Sequence, residues 1–249
     1  HYLGTATIGT NQFPAGAQFN SFVAKLDQQG NILWSRSMTS TNDCFATLIA
    51  TDALGAIYVA GEYRQDVLLG TNQLIDPVGA KWIFVSKLDD GGNFLWAAKA
   101  GAGYYTYARG LAATPQGEVF LTGFFETRAT FGTITLTNVS FGDEQSFVAK
   151  LDNTGRFIWA VPAAKGEANL ATLRVAAGAD GHAYIAGGYR GAAILGTNSL
   201  GNSSSFGSLI AKLDGAGNYL WAKSIVNGPG EAGDCFARAV ATSGTDRVI

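Results

Sequence analysis

The sequence predicts an all-β fold assembled from four tandem sheets of four strands, and three observations carry that prediction. The stretch SFVAKLDQQGNILW at residues 21–34 returns in versions ending at Trp96, Trp159 and Trp221, so successive tryptophans stand 62, 63 and 62 residues apart. Self-similarity at a fixed period marks a repeat architecture. Within each period, short apolar runs rich in β-branched and aromatic residues alternate with Asp- and Gly-containing turns. No segment holds a 3.6-residue apolar period for three turns, which excludes a helical solenoid.

The second copy defines the unit. Residues 44–51 (CFATLIAT) read as a buried strand A, 52–55 as a turn, and 56–63 (AIYVAGEY) as strand B. A glycine- and polar-rich connection follows over 64–81. Residues 82–88 (WIFVSKL) form strand C, 89–92 a turn, and 93–99 (NFLWAAK) strand D. The C–D turns repeat D-x-x-G at 27–30, 89–92, 152–155 and 214–217. An Asp there bonds forward to the turn backbone and the Gly accepts the left-handed residue, so these aspartates read as turn formers. One carboxylate per turn falls well short of a calcium site's six to eight oxygens.

Four-stranded up-and-down sheets repeated about an axis make a β-propeller. The termini predict how its ring is completed. Residues 1–13 align without gaps on 188–200, and 234–249 align on 43–58, leaving three residues between last and first. The expectation is one domain, a closed four-bladed ring whose first blade is shared by both ends. Its blades are 235–249 plus 1–37, then 44–99, 106–161 and 169–224. A four-repeat piece of a larger ring is the alternative.

The 249 residues are 47% apolar and 14% charged, too apolar for a disordered chain. A net charge of −2 supplies no electrostatic reason to bind nucleic acid or an anionic membrane. No apolar run approaches the ~20 residues of a membrane span. Cys44 and Cys235 occupy equivalent positions three repeats apart and read as packed thiols rather than a bridge. A start at His1 without a leader reads as a mature or trimmed segment.

The pattern F-V-A-K-L-D-x-x-G-N-x-L-W, then A-T-D-x-x-G-x-I-Y-V-A-G, then L-G-T, resembles the SBBP-type β-propeller repeats of bacterial secreted and surface proteins. The A and B strands are also similar to those of NHL propellers. The resemblance covers essentially the whole chain. It implies a propeller, an extracytoplasmic setting (secreted or cell surface) and, by the NHL analogy, strand A innermost. It implies no catalytic residues. The chain departs from the pattern at 202–206, which is serine-rich, and at 227–233, which lengthens one D–A connection.

With strands running up and down, the A–B and C–D turns lie on one face and the B–C and D–A connections on the other. The first set is short and uniform; the second is long and differs between repeats, which points recognition to that face. The D–A connections read as 37–43, 100–106, 161–169 and 224–234. Tyr104 and Tyr105 offer stacking surfaces, or else cover a blade edge. Asp43 and Asp234 match in position and would accept ligand hydrogen bonds or cap strand A. Arg109 and Arg238 also match, with Thr47 and Thr172 completing the ring position, and would line the channel. Trp82 precedes a C strand outside the tryptophan series and offers one further contact. The four repeating tryptophans read as interblade packing, and Lys25, Lys87, Lys150 and Lys212 as snorkelling side chains on an outer strand.

Catalytic parts are few: two histidines, no metal-ligand cluster, no G-x-S-x-G elbow. GAAILG at 191–196 lacks the lysine of a phosphate loop. The expectation is therefore a non-catalytic module without cofactor or metal, binding a glycan, peptide or protein on the long-connection face. The alternatives are a structural subunit or spacer, self-associating through blade edges or termini, and a hydrolase or lyase with carboxylates paired across blades.

Overall fold

The computed structural model describes residues 1–15, 18–76, 79–103, 105–138, 144–164, 169–225, 234–243 and 247–248. Among them every regular element is a strand. The first repeat contributes β1 (Ala6–Ile8), β2 (Asn11–Phe13), β3 (Ser21–Leu26) and β4 (Ile32–Ser40). The second contributes β5 (Cys44–Thr51), β6 (Ile57–Arg64), β7 (Val67–Leu69), β8 (Asn72–Leu74), β9 (Lys81–Leu88) and β10 (Phe94–Gly103). The third contributes β11 (Thr106–Ala113), β12 (Val119–Phe125), β13 (Arg128–Phe131), β14 (Ile134–Thr137), β15 (Gln145–Leu151) and β16 (Phe157–Pro162). The fourth has β17 (Asn169–Ala177), β18 (Ala183–Leu195), β19 (Asn198–Leu213) and β20 (Tyr219–Ile225), followed by β21 (Thr242–Ser243) and β22 (Arg247–Val248).

Strands A to D pair antiparallel in chain order: β5-β6-β9-β10, β11-β12-β15-β16 and β17-β18-β19-β20. The strands are nearly continuously apolar because sheets stack face on face, and B strands such as β6 and β12 are buried almost throughout. Strands A of adjacent sheets lie side by side, β5 against β11 and β11 against β17, as expected of innermost strands.

A repeated clasp holds neighbouring sheets on the A–B/C–D turn face. Trp34, Trp96 and Trp159 each donate Nε1–H to a carbonyl in the next repeat's C–D turn, at 2.9, 3.0 and 2.9 Å. The glycine closing each turn has φ of +80°, +86° or +88°, and its missing Cβ leaves room for the indole. A Cβ on Gly92, Gly155 or Gly217 would lie 2.8, 2.7 or 3.0 Å from the ring. So the tryptophan and the D-x-x-G motif, 56 or 57 residues apart, are one device. Asp27 shows the turn chemistry: its Oδ1 accepts the Gln29 and Asn31 amides, and its carbonyl accepts Gly30 N–H.

The repeating lysines are tied mostly within their own sheets, and here the expectation needs correction. Strand C is the third of four, not an outer strand. Lys150 is buried, 2.8 Å from Glu118; Lys212 lies 3.2 Å from Asp180, and Lys87 lies 4.0 Å from Asp52. Each ammonium also sits 5.0–5.5 Å above an aromatic ring of strand B, Tyr58, Phe120 or Tyr184. Lys25, whose own A–B turn does not precede it in the chain, pairs with Asp90 of the next repeat. A carboxylate at each A–B turn removes the need to snorkel.

The B–C connection, read from sequence as a glycine- and polar-rich stretch, is itself a hairpin. β7 leaves its own sheet at Gln65 (φ 60°) and pairs with the end of the preceding D strand, Met38↔Leu69 to Ser40↔Val67. β13 does the same on β10. This pairing holds β4 and β10 extended to Ser40 and Gly103, so two stretches read as D–A loops are largely strand. Alternate residues drive the docking: Val67 and Leu69 are buried while Leu68 is exposed.

The chain ends lie in separate sheets, β3 and β4 with β7 and β8, and β21 with β22. Thr242↔Val248 repeats the register of Thr51↔Ile57, and Thr242 Oγ1 donates to Ala177 O at 2.9 Å, setting residues 235–243 against the fourth repeat. Among the described residues β22 pairs only with β21, and β3 has no partner on its B side. Both cysteines are free, Cys44 buried and Cys235 half-buried.

Candidate functional site

The face carrying the hairpins and D–A connections is built around aromatic side chains at one recurring position, the junction between the start of strand C and the start of the next strand A. At the second-to-third junction, Tyr107 and Phe124 pack at a tilt of 33° with centroids 5.0 Å apart. Lys81 Nζ stands 3.3 Å from the Tyr107 centroid, and the Arg109 guanidinium lies 4.8 Å from both rings. At the first-to-second junction His1, Phe19 and Phe45 make a cluster with centroids 5.3–5.6 Å apart. At the fourth, Phe206 and Phe236 pack tilted at 4.9 Å, beneath Arg190 and Arg238 at 5.2 and 5.8 Å. A cation over an aromatic face gains ~0.5–1 kcal/mol when exposed and more when shielded from water.

Strand A is locally irregular where these groups project. The ladder slips between Ala46 and Leu48, between Ala108 and Gly110, and between Ala171 and Arg174. A bulge re-aims a side chain, and Thr47 and Arg109 occupy it in the second and third repeats, so the position matched in sequence is a bulge position there. Arg109 donates from Nη1 to Ala108 O at 3.1 Å, and Arg174 donates to Arg109 O. Among the described residues neither Lys81 nor Arg109 has a carboxylate within ion-pair distance.

Glu62 lies beneath this station, 5% exposed, and accepts Ala108 N–H at 2.9 Å. Burial raises its carboxyl pKa, opposed by the Ala108 amide and by Lys81 and Arg109. Glu144, in the same register as Lys81 one repeat on, is also raised by burial, with Arg109 pulling it down and Glu126 pushing it up.

Of the residues singled out from sequence, Tyr105 is 52% exposed and its carbonyl accepts Glu126 N–H, while Tyr104 lies outside the described residues. Asp234 accepts Phe206 N–H through its carboxylate at 3.0 Å, and the Asp43 carbonyl accepts Arg64 N–H at 3.0 Å, so both tie down the entry to strand A. Arg238 is exposed over Phe236. Trp82 sits within β9, half-buried, with Lys99 Nζ 4.3 Å from its ring. Sequence reasoning matched Arg109 with Arg238 but did not single out Lys81, Tyr107, Phe124, Phe206 or Phe236, which lie beside them at these junctions. The available signal was the aromatic at the second residue of strand A in three copies, Phe45, Tyr107 and Phe236.

No protein-family model matches the chain. It is similar to an uncharacterized WD repeat-containing protein of Acanthamoeba polyphaga mimivirus, 28% identical over 221 residues that cover 76% of this chain. The chain spans 16% of that relative's length. The all-β repeat architecture and this similarity together fit a β-propeller.

Proposed function

We propose that this chain is a non-catalytic binding module of a β-propeller, taking a glycan, peptide or protein on the face that carries the hairpins and D–A connections. The observation that supports it most is the Lys81–Tyr107–Arg109–Phe124 station: two cations held over a pair of packed rings at an interblade junction. Packed aromatics supply apolar contact at low conformational cost, and the cations add hydrogen-bond donors at the rim. Tyr105 extends the same surface. The reading places the module in an extracytoplasmic setting, on the resemblance to SBBP-type repeats, and closes a four-bladed ring by pairing β22 with β3.

Screening the chain against surface glycans and immobilised peptides tests the reading. Y107A and R109A should each weaken any hit at least tenfold with the fold intact by circular dichroism. Full binding by the double variant would defeat the placement. A second reading, a subunit of an extracellular assembly, is favoured by the unpaired edge of β3, where strand addition from another chain would satisfy the backbone. Sedimentation separates the two, since the binding module is expected to be monomeric.

A further inference from the structure

Charges are paired on one face of the molecule and unpaired on the other. Among the described residues all six ion pairs fall on the A–B/C–D turn face, from Lys25–Asp90 in the first repeat to Lys212–Asp180 in the fourth. On the opposite face, again among the described residues, Lys81, Arg109, Arg190 and Arg238 have no carboxylate within ion-pair distance. Carboxylates there serve backbone amides instead. Asp66 accepts Asp76 N–H at 3.0 Å, Glu62 accepts Ala108 N–H at 2.9 Å, and Asp234 accepts Phe206 N–H at 3.0 Å. Glu144 feels the charge of Arg109 without bonding to it.

Each of the four cations rests on aromatic rings. Lys81 and Arg109 lie over one pair of rings and are half-buried; Arg190 and Arg238 lie over the other and are exposed. Arg109 donates from Nη1 to Ala108 O, and among the described residues the rest of its fork has no protein acceptor. The side chains of Lys81, Arg190 and Arg238 have none at all there. The backbone at both junctions, by contrast, is engaged. Lys81 pairs with Arg64 on one side and Gly103 on the other, and Glu126 N–H donates to Tyr105 O. Cys235 N–H donates to Phe206 O, while Phe206 N–H is taken by Asp234. An extended peptide finds no free ladder to join at either junction.

From this we infer that the ligand of this face is an acidic glycan, whose carboxylate or sulfate groups are taken by the Lys81–Arg109 and Arg190–Arg238 pairs. The inference rests on the binding-module reading above and narrows its ligand class. A guanidinium presents a planar fork that meets a planar or tetrahedral oxyanion with two N–H bonds, and such charge-assisted bonds are roughly twice as strong as neutral ones. The rings beneath hold each fork in place before the ligand arrives, so less side-chain freedom is lost on binding. The acidic substituents of a glycan reach these donors without backbone pairing, which the junctions do not offer. Carboxylate and sulfate are two sources of one chemistry, and the experiment separates them.

The probes are tetragalacturonate, a heparin-derived tetrasaccharide, neutral maltotetraose and a hexaglutamate peptide, each titrated into the isotope-labelled chain at low and high NaCl. Expected are saturable amide shifts at Ala108 and Gly207 with at least one acidic saccharide, weakening as salt rises. A tenfold or greater loss of affinity should follow in R109Q and in R238Q, and the saccharide that binds tells carboxylate from sulfate. Equal binding of maltotetraose, untouched by R109Q, would overturn the inference and leave the binding-module reading standing. Hexaglutamate binding as tightly as either acidic saccharide would overturn it in favour of an acidic peptide. No shift at Ala108 or Gly207 with any probe at millimolar concentration would overturn it too, and the broader screen of glycans and peptides then decides the parent reading alone. The salt dependence and the shift map are read on the unsubstituted protein and stand even if R109Q fails to fold.

Discussion

Gly155→Ala isolates the interblade clasp. Gly155 combines φ of +86° with a position whose Cβ would sit 2.7 Å from the Trp96 ring. The left-handed backbone alone costs an L-residue ~1–2 kcal/mol. Loss of unfolded-chain entropy returns ~0.4–1 kcal/mol. Overpacking against the indole adds ~1–3 kcal/mol, because the ring is held from its other end by the Nε1–Asn153 bond and cannot simply retreat. The sum is a destabilisation of about 2–4 kcal/mol, or several degrees to some 15 °C in Tm at ~2–4 °C per kcal/mol. Gly30→Ala is the control. It has φ of +83° and no heavy atom within 4 Å of its Cβ, so only the backbone contribution of about 1 kcal/mol remains. Urea titration of both variants gives the difference. Adding Trp96→Ala to Gly155→Ala should recover part of the loss in a double-mutant cycle. Equal destabilisation of the two glycine variants, within about 0.5 kcal/mol, would refute the claim that the glycine is there to admit the indole.

Two predictions concern pH and have opposite signs. Asp27, Asp89 and Asp214 have pKa values lowered first by side-chain bonds from Asn31, Asn93 and Asn218, then by the turn amides. A lowered folded pKa means this contribution is present above the unfolded value of ~3.9 and is lost as pH falls through the folded values. Replacing all three with Asn should flatten the fall of the urea midpoint below about pH 4; an unaltered slope would contradict the assignment. Glu62 is raised by burial, so its ionised form opposes folding at neutral pH. Glu62→Gln keeps an acceptor for Ala108 N–H and should match or exceed the parent in stability at pH 7, with the gap closing as pH falls into the carboxylate range. A clear loss at pH 7 would mean that attraction to Lys81 and Arg109 outweighs the burial cost.

Much was legible in the sequence because the repeat states each element several times. Four copies of D-x-x-G locate the C–D turns, since the Asp and Gly are required by bonds within five residues of each other. Strands A to D follow from apolar runs between those turns, and the tryptophans as interblade packing follow from needing every copy. The lysines were misread because their partners, Glu118 and Asp180, stand 32 residues before Lys150 and Lys212 and meet them only when strand C pairs with strand B.

The chain by itself determined an all-β fold, its period, its turn chemistry and the repeating partners of each interface, because these depend on local bonds and on the alternation of apolar and turn residues. Only the tertiary structure decided that the B–C stretch folds as a hairpin on the neighbouring sheet in the second and third repeats, and that Tyr107, Phe124, Lys81 and Arg109 converge. Those outcomes turn on where a strand bends, at Gln65 in one repeat and at Gly191 in another. Where the hairpin then docks depends on a D strand about 30 residues earlier in the chain, which the hairpin segment by itself does not encode.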